Sequence, residues 1–310
     1  MHRPDELDTR ILREIGSPAS PQWDIRLSYA DIARKLGVDE ETVRRRIKRA
    51  TEKGSLPGWK LLVNPVLLGC EAAVARLGTE DRNRPSLARS RLLRVEGVVV
   101  VVEFQGTRCL VNFYYSSPDE LERRVELMAD LVGSSEPEIW RARTQPAEFK
   151  MRAVDWKMVR ALQKDARRDL KEVAAEVGVS PRTVERRLDA MKAGHAVFLT
   201  LQPNFDMMAG VVGALLVRYS TADEKQAGDR WLLSEVDRVG YVNTMLEGRT
   251  VLTFIRENLA ECETVLEKVQ KRTETQRTSL ETIRNVTVST RWQEEQVGRL
   301  ATALIRPRPS

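Results

Sequence analysis

Two stretches of the 310-residue chain repeat one pattern 141 positions apart. Residues 32–47 read IARKLGVDEETVRRRI, and residues 173–188 read VAAEVGVSPRTVERRL. In both, apolar residues recur at helical spacing on either side of a glycine, Gly37 in the first and Gly178 in the second. The pattern predicts a helix, a tight turn and a second, arginine-rich helix. Because it occurs twice, the chain is expected to consist of two related halves.

The composition is that of a soluble globular protein, with 42% hydrophobic and 31% charged residues, and the length suffices for several domains. No segment approaches the roughly 18 apolar residues needed to cross a bilayer. The first residues, MHRPDE, lack the apolar stretch of a secretion signal. The chain is therefore expected to be cytoplasmic, with no membrane partner.

The cysteines and the net charge narrow the possible partners. Cys70, Cys109 and Cys262 are scattered and show no CxxC spacing, so they predict packing residues rather than disulfides or a metal site. The net charge of +6 suits a polyanionic partner.

Each helix pair is preceded by an amphipathic helix and followed by a short apolar strand that ends in proline. These strands, 59–65 and 197–203, are interpreted as a wing or as a connector to the next domain. Asp8 matches Asp155 at an offset of 147, so the first half has six extra residues between its first two helices. A Gly, Pro and Ser-rich loop beginning at Gly16 accounts for them.

Beyond each connector the pattern changes to strand, helix, strand, strand, helix, strand. The predicted pieces of the first half are 72–77, 85–93, 98–104, 109–115, 118–131 and 138–144. Those of the second half are 212–219, 223–236, 241–246, 251–256, 259–272 and 283–292. This βαββαβ order predicts a ferredoxin-like domain with helices on one sheet face. The uncovered faces of the two sheets are expected to cover each other, as an internal pseudo-dimer.

The predicted fold class is therefore α+β, with two winged-helix or helix-turn-helix domains, each followed by a ferredoxin-like domain. The expected boundaries are 1–65 and 66–148 for the first half, 149–203 and 204–295 for the second, and a tail at 296–310. The last residues of this tail, 306–310, are rich in Pro and Arg and are expected to lack structure.

The second helix of each pair has the features of a DNA-recognition helix. Asp39 and Ser180 are favourable N-cap residues, and Val43 and Ile47 share the inward face of the first copy. Arginines on the other faces can bind guanine edges and phosphates in the major groove. A merely solvated helix face is the alternative. The residues predicted to contact DNA are Thr42, Arg44, Arg45, Arg46, Lys48 and Arg49 in the first half and Ser180, Arg182, Thr183, Arg186 and Arg187 in the second.

The two predicted recognition helices are not equal. The second carries Glu185 and Asp189 where the first has Arg44 and Lys48, so we expect the first to contribute more to affinity. The two half-sites should differ and lie about one DNA turn, or a multiple of it, apart.

Residues 179–188 with Val154 and Asp155, and residues 7–12 with 37–47, resemble the Lrp/AsnC family of transcriptional regulators. The chain resembles two such regulators fused head to tail. The resemblance implies binding to double-stranded DNA, pairing through the ferredoxin-like domains, and in many members a small effector between those domains. Further homo-oligomers are expected because sheet edges and helix faces remain available.

Members that bind amino acids commonly have an aspartate three residues after a hairpin glycine, whereas this chain has GTRC at 106–109 and GRTV at 248–251. An amino-acid effector is therefore not expected. Arg108 and Arg249 are interpreted as solvated hairpin tips or as an anion site.

Two other functions are compatible with the same tandem pattern. It also resembles the siroheme decarboxylases, but the chain has only His2 and His195 as histidines, and neither lies in a ferredoxin-like segment. Paired carboxylates such as Glu40 and Glu41 are explained by solvation and the helix dipole. No catalytic residues, cofactor or enzymatic activity are therefore expected. The third function is that of a nucleoid-like architectural protein with little sequence preference.

Overall fold

The computed structural model describes residues 5–16, 27–56, 58–78, 85–202, 204, 210–236, 243–245, 248–272 and 274–303. The elements of the first half are α1 (Glu6–Gly16), α2 (Tyr29–Leu36), α3 (Glu40–Glu52), β1 (Gly58–Val63), a 3-10 turn (Pro65–Leu68), β2 (Glu71–Gly78), α4 (Pro85–Leu92), β3 (Val98–Phe104), β4 (Arg108–Tyr115), α5 (Pro118–Val132) and β5 (Glu138–Arg141). Those of the second half are α6 (Ala153–Leu162), α7 (Leu170–Val177), α8 (Pro181–Ala193), β6 (Val197–Gln202), β7 (Val211–Arg218), α9 (Ala222–Glu235), β8 (Asn243–Met245), β9 (Arg249–Arg256), α10 (Leu259–Gln270), β10 (Arg277–Val288) and α11 (Arg291–Ala303).

Both predicted helix-turn-helix units are confirmed. Gly37 and Gly178 end the first helix of each pair in the left-handed region, at φ 69° and 78°, where residues other than glycine are strained. The inward residues Val43 and Val184 are fully buried. Most of the extra loop predicted after Gly16 lies outside the described residues.

The strands that follow the two helix pairs are paired with each other in one sheet. β1 and β6 form an antiparallel two-stranded sheet from Gly58 opposite Gln202 to Val63 opposite Val197. Neither interpretation, wing or connector to the next domain, included this pairing, which joins the two halves. The apolar residues of both helix-turn-helix units belong to one continuous core.

The two ferredoxin-like domains are also confirmed. Their strands are ordered β5-β2-β4-β3 and β10-β7-β9-β8, and β3 pairs with β10, so that an eight-stranded sheet runs through both halves. β10 is shared in succession, since residues 277–282 pair with β7 and 283–288 pair with β3. The predicted strand 241–246 is described only at 243–245, as β8.

The sheet faces that carry no helices meet in one apolar cluster. Val74, Leu110 and Trp140 from the first half pack with Val212 and Val251 from the second. Alternate residues such as Ala73 and Ala75 point to the helices of their own half. The two four-stranded parts of the sheet therefore cover each other within one chain, as expected for a pseudo-dimer.

The tail was predicted to begin at residue 296, but the described residues from 296 to 303 all belong to α11, which ends at Ala303. Trp292, predicted in a strand, lies at the start of this helix and packs edge-on against Tyr114, with ring centroids 5.9 Å apart. Val297 and Ala301 enter the core of the helix-turn-helix units. Residues 306–310, predicted to be an unstructured end, lie outside the described residues.

Charged side chains link the two ferredoxin-like domains. Arg76 contacts Glu138 at 2.7 Å and Glu281, from the other half, at 2.9 Å. Arg108 contacts the same Glu281 oxygen at 2.7 Å. Arg249 lies 3.3 Å from Glu138 and 5.0 Å from the centre of the Trp140 ring.

Arg249 is therefore not a solvated hairpin tip. With its side chain only 26% exposed, it belongs to the contact between the halves.

The Glu138 carboxylate is expected to make this contact sensitive to acid. Burial raises its pKa and is the largest single influence, but the hydrogen bond and charge of Arg76 and the charge of Arg249 outweigh it, so the pKa lies below its ordinary value of 4.5. The resulting stabilisation is present above pH 4.5 and is lost as the pH falls through the folded-state pKa.

We expect Glu138→Gln to remove the pH-dependent stabilisation that the ionised Glu138 carboxylate provides. In urea unfolding from neutral pH down through pH 4.5 and below, the variant should lose less stability than the parent. Parallel pH profiles of the two proteins would contradict the assignment.

Candidate nucleic-acid interface

The recognition helices α3 and α8 both begin at side-chain N-caps. The Asp39 carboxylate accepts hydrogen bonds from the Thr42 backbone N–H and hydroxyl, both at 2.7 Å. The Ser180 hydroxyl oxygen accepts from the Thr183 N–H at 3.2 Å, and the two hydroxyls lie 2.9 Å apart. These bonds satisfy amides that the helix cannot bond itself. Thr42, Ser180 and Thr183 therefore have a structural role beside the predicted DNA contact.

Most of the predicted cationic residues project outward. Arg44, Arg45, Lys48 and Arg49 are exposed on α3, and Arg182 and Arg186 are exposed on α8.

Arg46 and Arg187 are different, and the prediction that they face outward is corrected. Arg46 contacts Asp5 at 2.7 Å and Asp8 at 2.8 Å. Arg187 forms two hydrogen bonds to Asp155. Each side chain lies one position before an inward apolar residue and turns back towards the first helix of its domain.

The Arg187 pair is the more buried of the two. The Arg187 side chain is 14% exposed and the Asp155 side chain is fully buried. The hydrogen bonds to Asp155 raise the pKa of Arg187, and its guanidinium lies 4.9 Å from the centre of the Phe149 ring. Asp155 also accepts from the Arg152 N–H at 2.7 Å, so one carboxylate caps α6 and holds α8. Arg46 and Arg187 therefore position the recognition helices.

Some of the exposed cations have partners on their own helix. Arg44 is paired with Glu40 and lies 3.6 Å from Glu41, while Lys48 lies 3.8 Å from Glu52. Exposed pairs of this kind contribute about 0.3–0.5 kcal/mol, so they do not hold these cations against a phosphate. Within the described part of the chain, no ion pair is formed by Arg45, Arg49, Arg182 or Arg186.

One residue near the interface was missed by sequence reasoning. Arg167, in the α6–α7 loop, donates to the Leu27 carbonyl at 2.8 Å and lies between Tyr29, at 4.7 Å, and Trp59, at 5.3 Å. Arg44 approaches the same Tyr29 ring at 5.5 Å. This loop of the second half thus braces the start of α2 in the first. Nothing in the local pattern indicates this contact, because its partners are about 110 to 140 residues away along the chain.

The described residues contain no helix long and apolar enough to span a bilayer. Over the same ranges, no three His, Cys, Asp or Glu side chains are grouped to hold a metal ion. Cys70, Cys109 and Cys262 are free thiols.

The inward role of Arg187 has a measurable consequence. Arg187→Ala leaves the buried Asp155 carboxylate without its cation and should lower the free energy of unfolding by about 3–5 kcal/mol. The matched control Arg186→Ala removes an exposed neighbour and should change it by no more than about 0.5 kcal/mol. Urea unfolding followed by circular dichroism compares them, and equal stability of the two variants would contradict the assignment.

The sequence of this chain is similar to those of known helix-turn-helix proteins. The AsnC-type helix-turn-helix domain occurs twice, at residues 5–51 and 151–192. The chain is 38% identical over 103 residues to the HTH-type transcriptional regulator Ptr1 of Methanocaldococcus jannaschii, covering 33% of this chain and 64% of Ptr1. It is 42% identical over 136 residues to the HTH-type transcriptional regulator LrpA of Pyrococcus horikoshii, covering 42% of this chain and 84% of LrpA.

A solved structure extends the likeness to the whole chain. The siroheme decarboxylase NirDL superposes with a TM-score of 0.58 and 15% identity, covering 97% of this chain and 100% of that chain. At this identity the likeness concerns the tandem fold alone. The repeated domain and the identity to LrpA show that the chain belongs to the Lrp/AsnC family of helix-turn-helix transcriptional regulators.

Proposed function

We propose that this chain is a sequence-specific DNA-binding transcriptional regulator whose two helix-turn-helix domains bind the two half-sites of one operator. One observation carries the proposal. α3 and α8 both begin in a capped turn and expose arginines that form no ion pair in the described structure, and the β1–β6 sheet holds both units in one core. The role places the protein in the cytoplasm, beside the chromosome.

The proposed contacts follow from which side chains are exposed. Arg45 and Arg49 of α3, and Arg182 and Arg186 of α8, are available for guanine edges or phosphates without breaking an ion pair. Arg44 and Lys48 join them after exchanging an intrahelical carboxylate for a phosphate. Thr42, Ser180 and Thr183 lie in the first turns, where a recognition helix approaches the bases.

The shared core makes one chain the DNA-binding unit. Lrp/AsnC regulators of half this length would need two subunits to present two recognition helices, whereas both are covalently joined here. We propose that homo-oligomers, where they form, bring separate operators together. They are not needed to place two helix-turn-helix domains on one operator.

The fold likeness to siroheme decarboxylase NirDL supports a second candidate, a tetrapyrrole-binding enzyme. Such chemistry needs an acid–base side chain in the cavity between the domains. The only histidine among the described residues, His195, lies in the turn after α8, and the Arg76 and Arg249 cations are already paired with glutamates. We propose that the chain is not an enzyme. A Soret band shift on mixing with siroheme would favour the second candidate.

Removing exposed arginines from α3 tests the DNA-binding proposal. Arg45→Ala with Arg49→Ala should weaken operator binding by about 10- to 100-fold and lower the slope of log K against log salt by about 1–2. Arg123→Ala with Arg291→Ala removes the same charge from α5 and α11 and should change binding little.

A gel-shift titration at two salt concentrations compares the two double variants with the parent. Equal losses in both would contradict the assignment of α3. Equal affinity of the parent for random and operator DNA would indicate the architectural function instead.

A further inference from the structure

The outward faces of α3 and α8 correspond position by position. Positions 41, 44, 45, 48 and 49 share one face of α3, because they are three or four residues apart. The matching positions on α8 are 182, 185, 186, 189 and 190. Side chains on both faces are exposed, apart from the partly buried Ala190. The two faces can therefore be compared, position by position, as the proposed DNA-contacting surfaces of the two domains.

Three of the five positions reverse their charge between the helices. The reversed pairs are Glu41 and Arg182, Arg44 and Glu185, and Lys48 and Asp189. The central position is arginine in both, as Arg45 and Arg186.

The inward residues do not show this divergence. Val43 corresponds to Val184, Arg46 to Arg187, and both arginines bind a carboxylate of the first helix. The packing of the two units is thus alike, and the fold does not require the reversals. Within α3 and α8, the reversals of charge are confined to the face that is proposed to meet DNA.

Each charge has a chemical counterpart on the base edges. Arginine binds guanine O6 and N7 with two hydrogen bonds, whereas glutamate accepts a hydrogen bond from cytosine N4. Arginine at the central position of both helices therefore suits the same base, guanine, in both half-sites. By the same chemistry Arg44 suits a guanine, and Glu185 suits a cytosine at the matching position.

We propose that the operator is directional: its half-sites share a central guanine and carry guanine opposite Arg44 but cytosine opposite Glu185, so that the chain binds in one orientation. This inference rests on the proposed DNA-binding function. Asp189 adds to the difference, because a carboxylate near phosphates is repelled where Lys48 is attracted.

Exchanging the charges between the helices tests the proposal. Arg182→Glu with Glu185→Arg and Asp189→Lys gives α8 the three corresponding charges of α3. Glu41→Arg with Arg44→Glu and Lys48→Asp makes the opposite exchange on α3. All six residues are exposed, so each variant is expected to stay folded with only a small loss of thermal stability. The α3 variant should unfold at a slightly lower temperature than the parent, because it loses the pairs of Arg44 with Glu40 and of Lys48 with Glu52. Each protein is used to select duplexes from a random pool, and the affinities for the selected sites are then measured.

The parent should select asymmetric sites. The first variant should select palindromes built from the α3 half-site and prefer them over the parent's site by about 10-fold or more, since one mismatched base pair costs about 1–3 kcal/mol. The second variant should select palindromes of the other half-site. Selection of the parent's asymmetric site by both variants would overturn the inference while leaving DNA binding intact. Failure of the parent to enrich any duplex at low salt would overturn the proposed function itself.

Discussion

Strand β1 of the first half pairs with strand β6 of the second over six residue pairs, and this contact determines how the rest of the molecule is arranged. Leu61, Val63, Val197 and Leu199 of the two strands are buried in one core. Burial of each such side chain contributes about 1.5–3 kcal/mol, so the joint is a packed interface rather than a tether. Asn64 extends it, since its amide donates to the carbonyls of Gln145 and His195 at 2.9 and 2.8 Å. The recognition helices are consequently held as one body.

The second constraint is that neighbouring arginines on one helix have different roles, since some bind carboxylates of another helix and others are exposed. Arg45 lies on the exposed face of α3, whereas Arg46 lies beside the buried Ile47 and faces α1, so the two arginines serve different surfaces. Arg46 and Arg187 bind carboxylates of α1 and α6 and fix the orientation of α3 and α8. Arg45 and Arg186 then project from helices whose position is already set. Each arginine-rich helix thus carries one arginine that fixes its position and others that are exposed.

Sequence patterns predicted the local structure well because the determinants are local. Gly37 and Gly178, the N-caps Asp39 and Ser180, and the strand and helix periods each depend on a few consecutive residues. The pairing of β1 with β6 could not be predicted, because it joins residues about 140 positions apart and both strands also fit a wing. α11 was missed, although Val297, Leu300 and Ala301 recur at helical spacing, because the Pro and Arg-rich residues that follow predicted an unstructured end.

The inward arginines did leave a signal in the sequence. Asp8 and Asp155 are repeated together with Arg46 and Arg187, and a charged pair repeated on two helices of one domain indicates a contact between them. The contact of Arg167 with Tyr29 and Trp59 left no such signal in the sequence. The loop that contains Arg167 is shorter than the corresponding loop of the first half, so the contact is not repeated.

Hydroxyl-radical footprinting of a selected operator, at protein concentrations low enough to exclude self-association, tests most directly that one chain is a complete two-site reader. If the β1–β6 sheet joins the two helix-turn-helix domains, two protected patches should appear on the DNA at the same protein concentration. The patches should lie about one helical turn, or a multiple of it, apart, with one chain bound per duplex. Protection of one patch at a much lower concentration than the other, or a requirement for two chains per duplex, would contradict the account.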